Sequence, residues 1–94
     1  MAGRARAVTP ADLCTWLRFV VAPLVTRPAD VTVVEVLRSG TKLSLELRVA
    51  AEDFGRACGK RGETIHALRA VAIAAGGRHG LRVALDLNDE ARRR

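Results

Sequence analysis

The sequence predicts one α+β domain in which three strands form a sheet and helices cover one of its faces. Two observations lead to this fold class. Some segments carry apolar residues at three- and four-residue steps, as amphipathic helices do, whereas others alternate or are rich in β-branched residues, as strands are. A length of 94 residues suits a single domain. The predicted elements, in order, are helix 10–25, strand 31–38, strand 43–49, helix 51–58, helix 63–75 and strand 81–87.

The helix boundaries follow from local signals. The segment 9–12 supplies a threonine cap, a proline in the first turn and an acid three residues after the cap. Pro23 lacks a main-chain donor and is expected to kink or nearly end the first helix. Glu52 and Asp53 stand in the first turn of the short helix, where the helix dipole favours acids. Gly76-Gly77 is expected to end the last helix through positive φ angles.

The strands are predicted from alternation and turn residues. Val33-Val34 breaks the alternation of the first strand, which predicts either a bulge or a strand that is apolar on both faces. Ser39-Gly40 predicts a hairpin turn. The second strand alternates cleanly and should direct one row of residues into the core, namely Leu43, Leu45, Leu47 and Val49. The long helix should contribute Ile65, Leu68, Ala72 and Ala75 to the same core.

The positive charge lies mainly at the two ends of the chain. The net charge is +6, but between residues 8 and 90 there are 11 Lys plus Arg against 10 Asp plus Glu, a net of +1. We therefore expect a disordered basic arm over residues 1–8, a folded domain over 9–88 and a basic tail over 89–94. Any basic surface of the folded part must be local.

Several classes of protein are excluded by composition. Cys14 and Cys58 lie far apart, and neither histidine has ligand spacing to them, so we expect no metal and no cofactor. We expect a soluble, cytoplasmic protein. The thiols are expected to be reduced, and residues 1–8 show no secretory signal. The longest apolar run covers only residues 19–25. That run is far shorter than the roughly 20 residues that a membrane span needs.

The segment Gly59-Lys60-Arg61-Gly62 is the main candidate for a functional site in the sequence. It joins two predicted helices, and its glycines permit unusual backbone angles and a close approach by a partner. Two cations lie between them, and the free N–H groups at the start of the next helix should face the same place. Exposed amides, a positive helix end and two charges predict an anion-binding site.

The stretch 52–65, EDFGRACGKRGETI, followed by Ala67-Leu68-Arg69, resembles the GxxG core of KH domains. More narrowly it resembles the small bacterial KH proteins of the KhpA (YlqC) type. The resemblance covers roughly residues 15–87, including the Pro23-Leu24-Val25 and Pro28-Ala29-Asp30 stretches. It implies the type II KH topology, α-β-β-α-α-β, and a groove for about four nucleotides of single-stranded RNA, clamped by the GxxG loop.

The resemblance also implies the site residues. Gly59 and Gly62 would let the phosphates approach, and Lys60 and Arg61 would supply charge. The family usually has a bulky pair such as Val-Ile before the first glycine, whereas this chain has smaller residues that offer a base less apolar surface. Glu63 would oppose a phosphate beside the loop. The groove floor would include Ala57, Cys58 and Ile65, and its rim Arg56 and Arg69.

An enzyme is not expected. The segment 55–61 differs from a nucleotide P-loop, because Phe54 stands where the first glycine belongs and Arg61 replaces the magnesium-binding hydroxyl residue. No His–acid pair supports Cys58 as a nucleophile, and we expect His66 and His79 to be ordinary surface residues.

The sequence thus favours a non-catalytic RNA-binding protein. The family resemblance implies a global, RNA chaperone-like regulator that acts as a homodimer or with a larger KH-containing partner. Trp16, on the apolar stripe of the first helix, is expected in the core or an interface. Two alternatives stay open, namely a protein–protein adaptor whose loop is incidental and an unspecific polyanion binder that acts through its basic tails.

Overall fold

A computed structural model of the chain describes residues 9–89 and confirms the predicted order of elements. The predicted basic arm and the predicted tail beyond Asp89 lie outside these residues. Short 3-10 turns extend or connect the helices, at Ala22–Leu24, Pro28–Asp30, Ala51–Asp53 and Lys60–Gly62. The helices and strands are α1 (Pro10–Val21), β1 (Thr32–Ser39), β2 (Lys42–Val49), α2 (Phe54–Cys58), α3 (Glu63–Gly77) and β3 (Arg82–Asp89).

The start and end of α1 follow the sequence signals. The Thr9 hydroxyl accepts a hydrogen bond from the Asp12 N–H at 3.1 Å, and the Thr9 N–H donates to the Asp12 carboxylate at 3.0 Å. The short aspartate side chain therefore completes the reciprocal cap. The α-helix ends at Val21, and Pro23 lies in the 3-10 turn that follows, as expected for a residue without an N–H.

The sheet has the order β1-β2-β3, with β1 antiparallel and β3 parallel to β2. The hairpin turn is confirmed, and Gly40 in it has a φ of +57°. The irregularity in β1 falls between Glu35 and Leu37, so the bulge predicted at Val33-Val34 is wrong. Val33 pairs with Leu47 on the core face and Val34 pairs with Glu46 on the other, and both valines are half-buried. The alternative interpretation, a strand apolar on both faces, applies here.

The core lies between the sheet and the helices on one of its faces. All four predicted inward residues of β2 are buried, and β3 contributes Leu85 with 1% of its surface exposed. α1 adds Leu17 and Val21, which are completely buried. Aliphatic side chains fill this core, as the scarcity of aromatic residues requires. Among residues 9–89, no helix combines the length and apolarity needed to cross a membrane.

The end of α3 differs from the prediction. Gly76 and Gly77 are both helical, and positive φ occurs instead at Gly80, at +77°. Gly76 is buried against β3, where an added Cβ would overlap Cγ2 of Val83. Its lack of a side chain lets the helix approach the strand closely, and Gly80 makes the turn into β3.

Candidate nucleic-acid interface

The chain breaks sharply between α2 and α3. Gly59 has a φ of +83°, Arg61 of +58° and Gly62 of +75°. Within residues 9–89, Arg61 alone among non-glycine residues has a positive φ, a conformation that costs energy and is retained where the surroundings require it. The segment contains a single 3-10 turn, and the side chains of Lys60 and Arg61 are exposed. The glycine-bracketed bend therefore presents both cations to solvent.

The two glycines of the loop have different roles. A Cβ at Gly59 would overlap the Thr64 hydroxyl and lie 2.7 Å from the Thr64 nitrogen, so the first turn of α3 packs directly on this residue. A Cβ at Gly62 would find ordinary contacts at 4.0 Å, to the Cys58 sulfur and Ile65. Gly59 is thus required by both space and backbone angle, and Gly62 by its backbone angle alone. Sequence reasoning missed Thr64, since its contact with Gly59 depends on the bend.

The loop leaves main-chain donors available. The Gly59 N–H donates to Gly55 at 2.9 Å, and the Gly62 N–H donates to Gly59 at 3.0 Å. In the described part of the chain, the N–H groups of Lys60 and Arg61 donate to no main-chain carbonyl outside their own short turn. They lie just before the N-terminus of α3, where the helix dipole is positive. This combination suits an anionic ligand.

The three predicted floor residues differ in their exposure. Ala57 is completely buried and Ile65 is 7% exposed, and both belong to the core. Cys58 is half-buried against that core. Arg56 is exposed on α2. Of these three residues, Cys58 therefore has the largest exposed surface, whereas Ala57 and Ile65 pack in the core.

Arg69 connects α3 to the open edge of the sheet. Its Nε donates to the Leu85 carbonyl at 2.8 Å, and the side chain is half-buried. The Arg82 N–H donates to the Thr41 carbonyl, so the main-chain groups of Arg82 face β2. Successive residues of a strand face opposite sides, so the main-chain groups of Leu85, three residues later, face away from β2. Arg69 thus covers part of an unpaired strand edge.

A buried carboxylate fixes the start of α2. Asp53 accepts hydrogen bonds from the N–H and hydroxyl of Thr26, at 2.9 and 2.8 Å, and from the N–H of Arg27 at 2.9 Å. Burial raises the pKa of Asp53, but these hydrogen bonds and the charge of Arg56 outweigh it and hold the pKa below its usual value. The sequence pattern alone predicts only an interaction of Asp53 with the helix dipole.

Cys14 and Cys58 are free thiols, and both are partly buried. Burial, with the charge of Glu35, raises the pKa of the Cys14 thiol, so this cysteine is protonated at neutral pH. The part of the chain from 9 to 89 contains no cluster of three or more His, Cys, Asp or Glu side chains that could hold a metal ion.

An apolar groove separates α1 from α3. A cavity of about 420 Å³ lies beside the loop, and a second of about 260 Å³ continues along the helices; both are lined by Trp16 and Val71. We call this surface the α1–α3 groove. Val71 is 49% exposed and Leu24 is 44% exposed. The groove is lined by Asp12, Leu13, Trp16, Val20, Leu24, Glu63, Thr64, Ala67, Leu68, Val71 and Ala75.

The order of elements, the mixed pairing of the sheet and the bend between α2 and α3 define a type II KH domain. A family model described as KhpA/KhpB, KH domain, matches residues 15–87, and the chain belongs to this family.

Curated relatives agree with this assignment. The chain is similar to proteins named RNA-binding protein KhpA from three bacteria. It is 36% identical to that of Chlamydia pneumoniae over 75 residues, covering 80% of this chain and 95% of the relative. It is 40% identical to that of Halalkalibacterium halodurans over 75 residues, covering 80% and 97%. It is 37% identical to that of Treponema pallidum over 73 residues, covering 78% and 90%.

Proposed function

We propose that this chain binds short single-stranded RNA at the Gly59–Gly62 loop and catalyses no reaction. One observation carries the proposal: the loop holds three positive φ angles and presents two exposed cations beside main-chain donors and the positive end of α3. The relatives named RNA-binding protein KhpA support the same class of ligand.

The loop would hold the sugar–phosphate chain. Gly59 and Gly62 carry no side chain that would keep a phosphate from the main chain, and Lys60 and Arg61 add charge. Glu63 is exposed in the first turn of α3, where it stabilises the helix but repels a phosphate. We therefore expect the attraction to come from a few contacts and to be moderate.

The residues around the loop divide into ligand contacts and supports. Arg56, Cys58 and Arg69 are exposed or half-buried, and they would form the sides of a groove for about four nucleotides. Ala57 and Ile65 would act indirectly, because their burial fixes the position of the loop. Small residues before Gly59 give a base little apolar surface, which favours a modest sequence preference.

Weak binding by one groove favours pairing of two domains, because a second linked site raises the overall affinity. The protein would then act in the cytoplasm as a global, RNA chaperone-like regulator, as a homodimer or with a larger KH-containing partner. The α1–α3 groove supports pairing, since Trp16, Leu24 and Val71 offer apolar surface there. Sedimentation of the wild type beside Val71→Glu tests this; a pairing that survives the substitution places the interface elsewhere.

In-cell crosslinking followed by sequencing of the bound RNA tests the proposed function. The wild type is compared with the double variant Lys60→Asp/Arg61→Asp, whose substitutions lie at exposed positions. The proposal predicts that the double variant loses most crosslinked RNA while it remains folded and keeps its oligomeric state. Unchanged crosslinking in a folded double variant would rule out the loop as the RNA site.

The α1–α3 groove also favours a second candidate function, a protein–protein adaptor with incidental or tail-driven polyanion binding. That function predicts that the loop variant crosslinks RNA normally, while removal of residues 1–8 and 91–94 abolishes crosslinking. RNA binding at the loop predicts only a partial loss when these ends are removed.

A further inference from the structure

Part of the positive charge of residues 9–89 lies in stretches of the chain that contain no acid. Residues 36–45 and 64–85 contain no Asp or Glu. The fold brings these two stretches together at the end of the sheet that holds the β1–β2 hairpin, where Lys42 is the strand partner of Arg82. Four exposed cations lie at this end, and we call them the sheet-end patch: Arg38, Lys42, Arg78 and Arg82.

The backbone places the four residues close to one another. Lys42 and Arg82 are direct partners in parallel strands and lie on the face of the sheet away from the helices. Arg38 pairs with Leu43, whose side chain enters the core, so Arg38 lies on the opposite face of the sheet from Lys42. Arg78 ends α3 and precedes the turn at Gly80 that leads into β3. The patch therefore wraps around the end of the sheet.

Among residues 9–89, no Asp or Glu forms an ion pair with the patch. The ion pairs found within residues 9–89 join Arg27 to Asp30 and Glu52, and Arg48 to Glu46. The nearest acids on the open face, Glu46 and Asp86, lie four residues further along their strands. Glu46 is already bonded to Arg48 and Asn88, so it does not compensate the patch.

The electrostatic repulsion between the cations of the patch favours a role in binding a ligand. Like charges directly opposite each other in a sheet are destabilising, and Lys42 faces Arg82 in this way. Arg78 has a structural explanation, because a cation stabilises the C-terminal end of α3. That explanation does not cover Lys42, which lies on β2.

The concentration of positive charge in the patch favours a polyanion as its ligand. Residues 9–89 carry 11 Lys plus Arg and 9 Asp plus Glu, a net of +2. The patch alone carries +4, so the remainder of the described part carries −2. The 15 residues of α3 separate the patch from the loop by about 22 Å.

We infer that the sheet-end patch is a second phosphate-binding surface, which holds the part of a longer RNA that extends beyond the loop. RNA is favoured over an acidic protein because the same chain carries the phosphate-binding loop at the other end of α3. This inference rests on the proposed function and extends it from a short site to a longer RNA footprint.

Binding of a six-nucleotide and an eighteen-nucleotide single-stranded RNA tests the inference, each titrated at several salt concentrations. Lys42→Gln/Arg82→Gln should lower the affinity for the longer RNA about tenfold. It should also reduce the slope of log affinity against log salt concentration by about 1.4, which is about 0.7 for each lost phosphate contact. The shorter RNA should be unaffected. Arg18→Gln is the control for the loss of an exposed arginine outside the patch, because Arg18, like Arg82, is exposed and forms no ion pair among the described residues.

The outcomes separate this inference from the proposed function. Equal affinity of wild type and patch variant for the longer RNA would overturn it, as would an equal loss for both lengths, since the patch would then belong to the short site. A lower thermal midpoint for Lys42→Gln/Arg82→Gln would also count against it, because relief of repulsion should maintain or raise stability. Failure of the proposed function appears elsewhere, as normal binding of the short RNA by Lys60→Asp/Arg61→Asp.

Discussion

The carboxylate of Asp53 binds both the N–H and the hydroxyl of Thr26, 27 residues earlier in the chain. Because α2 has only five residues, it is too short to be stable by itself. The link ties the start of α2 to the connection between α1 and β1. The position of the Gly59–Gly62 loop, which follows α2, thus depends on a buried polar contact.

Replacement of Asp53 by Asn should make stability less dependent on acid pH. The pKa of Asp53 is lower in the folded protein than in the unfolded chain, so its contribution is complete above the unfolded value of about 3.9 and is lost as pH falls through the folded value. We expect Asp53→Asn to be less stable than wild type at pH 7, and the difference to shrink below about pH 4. Urea unfolding across this pH range measures it.

The control for this experiment is Asp86→Asn, because Asp86 is exposed and forms no ion pair with the residues from 9 to 89. This variant should follow the wild-type pH profile closely. A difference between wild type and Asp53→Asn that stays constant from pH 7 to pH 2 would show that the charge of Asp53 contributes nothing to stability.

Alanine substitution should lower the free energy of unfolding more at Gly59 than at Gly62. Gly59→Ala combines a positive φ with overlap against Thr64 and should cost roughly 2–4 kcal/mol. Gly62→Ala meets only the backbone cost, about 1–2 kcal/mol, because the space is free. Gly55→Ala is the control, since this residue is helical with free space around it, and a gain of up to about 1 kcal/mol is expected. Denaturant unfolding that ranks Gly62→Ala as the most harmful would refute this account of the bend.

Alanine substitution of the two glycines at the end of α3 should change the stability of the protein in opposite directions. Gly77→Ala adds a methyl group to a helical position with open space and should stabilise the protein by up to about 1 kcal/mol. Gly76→Ala places a methyl group against Val83 and should destabilise it by about 1–3 kcal/mol. The thermal midpoints of the two variants should therefore lie on either side of the wild type. Equal midpoints would mean that α3 and β3 are not closely packed at Gly76.

The element order could be predicted because its signals are local. The cap at Thr9, the alternation of β2 and the glycine-bracketed bend are each complete within a few residues. The contacts that refine the site are not local. Asp53 meets Thr26 across 27 residues, and Gly76 is a packing residue only because Val83 lies against it. Sequence spacing does not reveal such pairs.

The groove floor illustrates the same limit. The family resemblance implies that Ala57, Cys58 and Ile65 lie together, and in the structure Ala57 and Ile65 belong to the core while Cys58 packs against it. The structure does not give them equal access, since Ala57 is completely buried and Cys58 is only half-buried. Side-chain exposure depends on how α2 lies on the sheet, which the helical pattern of five residues does not determine.

The most direct test of the central claim is the affinity for a labelled six-nucleotide single-stranded RNA, measured by fluorescence anisotropy. Lys60→Asp/Arg61→Asp is compared with wild type, and Lys60→Asp alone is compared with Arg18→Asp, an exposed charge reversal on α1. We predict a loss of affinity of tenfold or more for the loop double variant and little change for Arg18→Asp. Wild-type affinity in a folded Lys60→Asp/Arg61→Asp protein would contradict it.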